Sequence, residues 1–197
     1  MGEIGDRCGW VSADSIYLEY HDTEWGVPEW DSRALWEKLV LDGFQAGLSW
    51  LTILKKRENF RAAFQGFDPH IIAQWGEPEV LRCLGDPGII RHRGKIEATI
   101  GNARVWQEIE AEQGFDRYLW GYMGGAPLQN RWERLSDVPT ETEISQAISK
   151  DLKKRGFKFC GPTIVYAFMQ AVGMVNDHLV TCPCHEPVKR LGQGTSV

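Results

Sequence analysis

No stretch of this chain reaches about 18 consecutive apolar residues, the length a helix needs to cross a bilayer, so no membrane span is expected. Alternating apolar and polar runs are nearly missing, and no segment repeats, so strands are not expected to build the fold. Excess positive charge is missing too. Twenty-two Lys and Arg against 27 Asp and Glu leave a net charge of −5, which excludes a generic nucleic-acid coat. The segment Met1 to Arg7 is polar and acidic, unlike a secretory leader, so a cytoplasmic protein is expected. Cysteine is scarce and odd in number, five in 197 residues, which favours reduced thiols or metal ligation over a disulfide framework. Nothing supports nucleotide hydrolysis: there is no GxxxxGK[ST] loop, no HExxH and no GxSxG.

What is present is helical periodicity. Asp31 or Ser32 can cap a helix carrying Leu35, Trp36, Leu39 and Val40. Ser49 can cap the next, with Ile53, Leu54, Ala63 and Phe64 inward. Asp68-Pro69 opens a short helix to about Trp75, and Pro78 another. A long helix is expected from Arg93 to Glu112, with Ile96, Ile100, Ala103 and Trp106 facing inward, and a shorter one from Phe115 to Met123. Residues 8–30 are aromatic and irregular, as in a packed cap or pocket wall, and the tail, 185–197, is polar, glycine-rich and expected to be loose. The expected fold is therefore all-α, one unit of two helical lobes over residues 1–197 with a cleft between them.

The stretch from Thr140 to Cys182 organises the rest. Thr140 and Glu143 form a capping-box pattern, Ile144, Ala147, Ile148 and Leu152 share a helix face, and Gly156 stands where a C′ glycine belongs. After a short hairpin with Lys158, Gly161 and Pro162 open a second helix that is apolar nearly all round. The motif spans about residues 142–173. Free amides at the second helix's N-terminus, beside Lys158, can bind a DNA phosphate; an ordinary helical hairpin with solvated lysines fits the same residues. Further basic clusters, Lys55 to Arg61 and Arg91 to Lys95, are compatible with a DNA-binding face or with solvated helix surfaces.

His178 and Cys182 are spaced as a zinc half-site. Cys8 and His21 can complete a Cys2His2 set, with Cys184 and His185 as rivals, and a buried histidine beside an inert thiol is the plainer alternative. Trp10, Tyr17, Tyr20, Trp25 and Trp50 could stack a flat heterocycle, or simply be core.

Several long blocks resemble the family of 3-methyladenine DNA glycosylase I: Cys8-Gly9-Trp10, Tyr20 through Pro28, Gln45 through Trp50, Lys55 through Asn59, Gly88 through Ile96, Lys153 through Phe159, and Val175 through His178. The resemblance covers about residues 7–184. It implies a helix-hairpin-helix fold, double-stranded alkylated DNA held at Gly156, Lys158, Gly161 and Thr163, and a monomeric enzyme that flips a damaged base into a cleft. It implies structural zinc at Cys8, His21, His178 and Cys182, a base pocket lined by Trp10, Tyr20 and Trp50, and a carboxylate at Asp42 against the base edge. The family pattern has Glu there; Asp is one methylene shorter. Many relatives in the wider superfamily carry a catalytic Asp where this chain has Asn176, followed by Asp177, and bifunctional ones carry a Schiff-base Lys near Thr163. The missing Lys implies a monofunctional enzyme that leaves an abasic site. The chemistry allows excision without the missing Asp, because N3 methylation makes adenine cationic and the departing base neutral. Two other readings are a non-catalytic, zinc-containing DNA-binding module and a glycosylase with altered base specificity.

Overall fold

The computed structural model describes residues 5–193. These form ten α-helices and one pair of two-residue strands. The central element is α2 (Ser32–Gln45), capped by Asp31, whose carboxylate accepts from the amides of Arg33 and Ala34. Leu35, Trp36, Leu39, Val40, Leu41 and Phe44 bury the helix almost all round. It packs on α3 (Trp50–Ala63), α6 (Arg93–Glu112), α7 (Phe115–Gly121) and α9 (Pro162–Ala171). The faces expected on α3 and α6 are inward, with Ile53, Leu54, Ile96, Ile100, Ala103 and Trp106 all buried. Short helices α4 (Pro69–Ile72) and α5 (Glu77–Gly85) lean on α6.

Four expectations need correction. The segment 8–30 is not irregular throughout, for α1 (Ser15–Thr23) runs inside it, capped by Asp14. Its buried residues, Leu18, Tyr20 and His21, are mixed in polarity and hide the helical period. The capping box lies at Thr142 and Ser145, not Thr140 and Glu143: each side-chain oxygen accepts from the other's backbone N–H, opening α8 (Glu143–Arg155). The tail is not loose through residue 193. It forms α10 (His185–Gln193), anchored by buried His185 and Val188, while 194–197 lie outside the described residues. Finally, α4 and α7 stop at Ile72 and Gly121, short of Trp75 and Met123.

Helices α8 and α9 pack side by side, joined through residues 156–161. Gly156 adopts φ 105°, a left-handed value that closes α8, and the Phe157 amide donates to the Leu152 carbonyl. Asn102 on α6 clamps the turn by accepting from the Lys158 amide (2.8 Å) and donating to its carbonyl (3.0 Å). Past α9, strand β2 (Val175–Asn176) pairs in parallel with β1 (Leu128–Gln129).

Gly173 joins α9 to β2 at φ 68°, and a Cβ there would lie 2.5 Å from backbone atoms of Gly26, Val27 and Pro28. Left-handed strain of about 1–2 kcal/mol adds to overpacking of about 1–3 kcal/mol, so Gly173→Ala is expected to destabilise by on the order of 3 kcal/mol. Denaturant titration checks this; an unchanged midpoint refutes it.

Candidate base pocket and metal cluster

A cavity of about 220 Å³ opens between α1, α2, the start of α3 and α9. Trp10, Tyr20, Trp50, Lys38, Asp42 and Asp177 contribute to its wall. Pockets for drug-sized ligands span roughly 300–1,000 Å³, so this smaller space suits something the size of one heterocycle. Tyr20 and Trp50 lie 5.5 Å apart between ring centroids, and Trp10 stacks edge-on against Trp25 at 5.0 Å. The four residues named above as base-pocket candidates, Trp10, Tyr20, Asp42 and Trp50, thus converge on one cavity.

Asp42 lies on the buried face of α2, one turn after Lys38. The Lys38 ammonium donates to Oδ1 at 2.6 Å and sits 3.8 Å from the centroid of Trp50. Burial raises the Asp42 pKa and lowers that of Lys38, and in each case the partner's opposite charge works against the shift. Asp42 Oδ2 and Trp50 Nε1 are buried with no hydrogen-bond partner. An orphaned acceptor and an orphaned donor in one cavity wall are costly in the empty protein and are the groups a polar ligand would satisfy.

Asp177, which also lines the cavity, is fully committed. Its Oδ1 accepts from Asn130 and Trp132, and its Oδ2 from Tyr166 and Gln170, all at 2.7–2.8 Å. Asn176 points elsewhere: its amide donates to Gln129 Oε1 and the His185 carbonyl, tying β1, β2 and α10 together.

Next to the cavity, buried Cys8, His21, His178 and Cys182 bring one ligand atom each to within 4.8 Å of all the others. Cys182 Sγ is 3.6 Å from His21 Nε2 and 3.5 Å from His178 Nδ1, and Cys8 Sγ is 3.6 Å from His178 Nδ1. Tetrahedral bonds of about 2.0–2.3 Å have edges of roughly 3.3–3.8 Å, so this spacing fits a four-coordinate metal. The outer ring nitrogens are also held: His21 Nδ1 by Asp22 at 2.8 Å and His178 Nε2 by the Trp25 carbonyl at 3.0 Å. Arg7 in turn donates to both oxygens of Asp22. The rivals are displaced. Cys184 borders Cys182 but meets His21 at Nδ1, on the outer side, 4.0 Å away, where it groups with His21 and Asp22 instead of the buried four, and His185 Nε2 bonds to the Asn130 carbonyl.

The basic clusters differ in how they are partnered. Lys55 pairs with Asp14, Arg57 with Glu24, Arg61 with Glu37 and Arg93 with Glu77. On the hairpin face, by contrast, exposed Lys150, Lys153, Lys154 and Lys158 enter no ion pair among the described residues. Gly161 caps α9 without a side-chain bond, leaving the first-turn amides open, and Thr163 Oγ1 reaches Glu141 only weakly, at 3.4 Å.

The sequence profile of the methyladenine glycosylase family matches residues 10–185. The chain belongs to this family. It is 55% identical over 181 residues to DNA-3-methyladenine glycosylase 1 of Escherichia coli K12, covering 91% of this chain and 97% of that protein. It is 50% identical over 179 residues to a DNA-3-methyladenine glycosylase of Haemophilus influenzae, covering 90% and 97%. A solved Tyr-to-Phe variant of 3-methyladenine DNA glycosylase I, in complex with 3-methyladenine, superposes with a TM-score of 0.88 at 41% identity, covering 90% of this chain and 96% of that one. No helix of this methyladenine glycosylase, among the described residues, is long and apolar enough to cross a membrane.

Two polar wall residues of this glycosylase were not singled out from the sequence, Lys38 and Gln170. Lys38 carries a legible signal, the i, i+4 spacing to Asp42 on a predicted helix. Gln170, alone on an otherwise apolar helix face, gives only a weak one.

Proposed function

We propose that this methyladenine glycosylase hydrolytically releases 3-methyladenine from alkylated double-stranded DNA in base-excision repair, acting as a monomer. The observation that carries the proposal is the pairing of Asp42 Oδ2 and Trp50 Nε1, both buried and unpartnered, in an aromatic cavity of about 220 Å³. An extruded base fits such a space, and its exocyclic amine can donate to Asp42 Oδ2 while its ring stacks on the aromatic walls. The names of the relatives support the choice of base. A purely DNA-binding module has no use for these orphaned groups.

The base leaves neutral from a cationic nucleoside, so the protein's work is to extrude, bind and desolvate it. Asp177 supplies buried negative character without a free acceptor, because four donors already occupy it. It therefore acts on the developing sugar cation through its field, not by contact. No lyase step is expected: the pocket's lysine is committed to Asp42 and the Trp50 face. Single-turnover incubation with methylated DNA should release 3-methyladenine on chromatography, leave an abasic site, and give no borohydride-trapped adduct. Absence of released base refutes the proposal.

Cys8, His21, His178 and Cys182 would hold zinc, using all four tetrahedral positions, so the metal would supply cross-linking and no reacting group. It would tie the N-terminal segment and α1 to the chain after β2, directly behind the aromatic wall.

The hairpin, Gly156, Lys158, Gly161 and Thr163, would hold DNA phosphate through open amides and unpaired lysines, without reading sequence. Lys158→Ala should weaken binding to all duplexes alike and reduce the salt slope by about one unit. Titration by fluorescence anisotropy at several salt concentrations checks this; an unchanged slope removes Lys158 from the interface.

A further inference from the structure

Lys38 is a buried cation inside a pocket that is to receive a cation. Its ammonium occupies Asp42 Oδ1 at 2.6 Å and lies 3.8 Å from the centre of Trp50. Carboxylate and indole face are the two partners that would otherwise attract a positively charged base. The other charged groups felt by Lys38, Arg57 and Glu24, form an ion pair with each other and so largely cancel. Lys38 and Asp42 together carry no net charge, and this holds whichever of them keeps the shared proton.

We infer that Lys38 is a specificity-determining residue: it neutralises Asp42, so that side chain reads the hydrogen-bonding edge of the base through Oδ2 and itself adds little discrimination on charge. The inference rests on the base-pocket reading above. A bare carboxylate at this position would instead select the cationic base electrostatically. The pair is also geometrically rigid. Lys38 fixes which oxygen is engaged and leaves Oδ2 as the sole free acceptor of that side chain.

The test is a four-protein cycle: wild type, Lys38→Met, Asp42→Asn and the double variant. The ligands are free 3-methyladenine, which is neutral, and 3,9-dimethyladeninium, a permanent cation of the same ring. Affinities are read by tryptophan fluorescence quenching at mildly alkaline pH, with thermal melts to verify folding. The quantity of interest is the cation-to-neutral affinity ratio. It should follow the net charge of the pair: highest in Lys38→Met, lowest in Asp42→Asn, and alike in the wild type and the double variant. Each single step should be worth about tenfold or more, as a unit charge in direct contact requires at intermediate dielectric. The double variant, neutral and nearly isosteric, keeps the comparison available if a single variant with one buried charge is unstable. A wild-type ratio that differs from the double variant's by tenfold or more, or single variants whose ratios match the wild type, would overturn the role of Lys38 while leaving the pocket assignment intact. Binding of neither ligand by the wild type would overturn both.

Discussion

Cys182→Ala is expected to abolish the metal binding proposed above and to lower the melting temperature by about 10–20 °C. Cys182 stands between both histidines of the cluster, 3.6 Å from His21 and 3.5 Å from His178. Hydrogen bonds from Cys184 and Cys8, then from the two histidines, hold its thiol below the ordinary range. Zinc binding in small structural sites contributes about 10–16 kcal/mol of apparent folding free energy, comparable to the whole stability of a typical domain. Losing even about 5 kcal/mol of it shifts a chain of this length by the stated amount, at about 2–4 °C per kcal/mol. Elemental analysis should give one metal per chain in the wild type and none in the variant, and chelator treatment of the wild type should reproduce the lower melting point. Cys184→Ala is the control. Its sulfur faces the outer nitrogen of His21, so metal content should persist. A metal-free wild type that melts normally would remove the cluster from the fold's stability altogether.

The second large effect belongs to Asp42→Asn, expected to slow excision of 3-methyladenine by roughly 10- to 100-fold. The orientation of the new amide is set by Lys38, which donates at the Oδ1 position and so attracts the amide oxygen there. The NH2 group then occupies the Oδ2 position and faces the base's own exocyclic amine, donor against donor. The loss is one charge-assisted hydrogen bond of about 1.5–3 kcal/mol, which converts to the stated range at 1.4 kcal/mol per decade. Asp42→Glu keeps a carboxylate and should retain activity. Duplex binding and metal content should be unchanged in both, because Asp42 contacts neither the hairpin nor the cluster. Single-turnover release of methylated bases is the measurement. Wild-type rates in Asp42→Asn would exclude Asp42 as the base-edge carboxylate.

The helices of the main core were legible because their caps and apolar faces are local. Asp31 and Ser49 bond to amides within their own first turns, and residues such as Leu35, Leu39 and Ile96 repeat at the helical period. The first helix, α1, was not legible. Tyr20 and His21 are buried on it for a pocket and a metal cluster instead of an apolar core, so the period that marks a helix is absent. The tail failed for a related reason: α10 is held by buried His185 and Val188 against distant residues such as Asn130, a contact no local pattern announces.

The sequence by itself determined the all-helical class, the aromatic and basic residues available to a site, and, through the resemblance of long blocks, the family. These are properties of neighbours in the chain or of matched strings. The resemblance also named the metal set and the pocket set in advance. Tertiary structure decided how each residue is engaged. It joined Cys8 to His178 across 170 positions and ruled Cys184 and His185 out of the cluster by direction. It satisfied Asp177 with four donors drawn from two segments and left Asp42 with one oxygen free. It set Lys38 against that carboxylate, where the ammonium takes one of its two oxygens. Electrostatics and hydrogen-bond satisfaction depend on distances of a few ångströms in space, and residue order along a chain does not carry them.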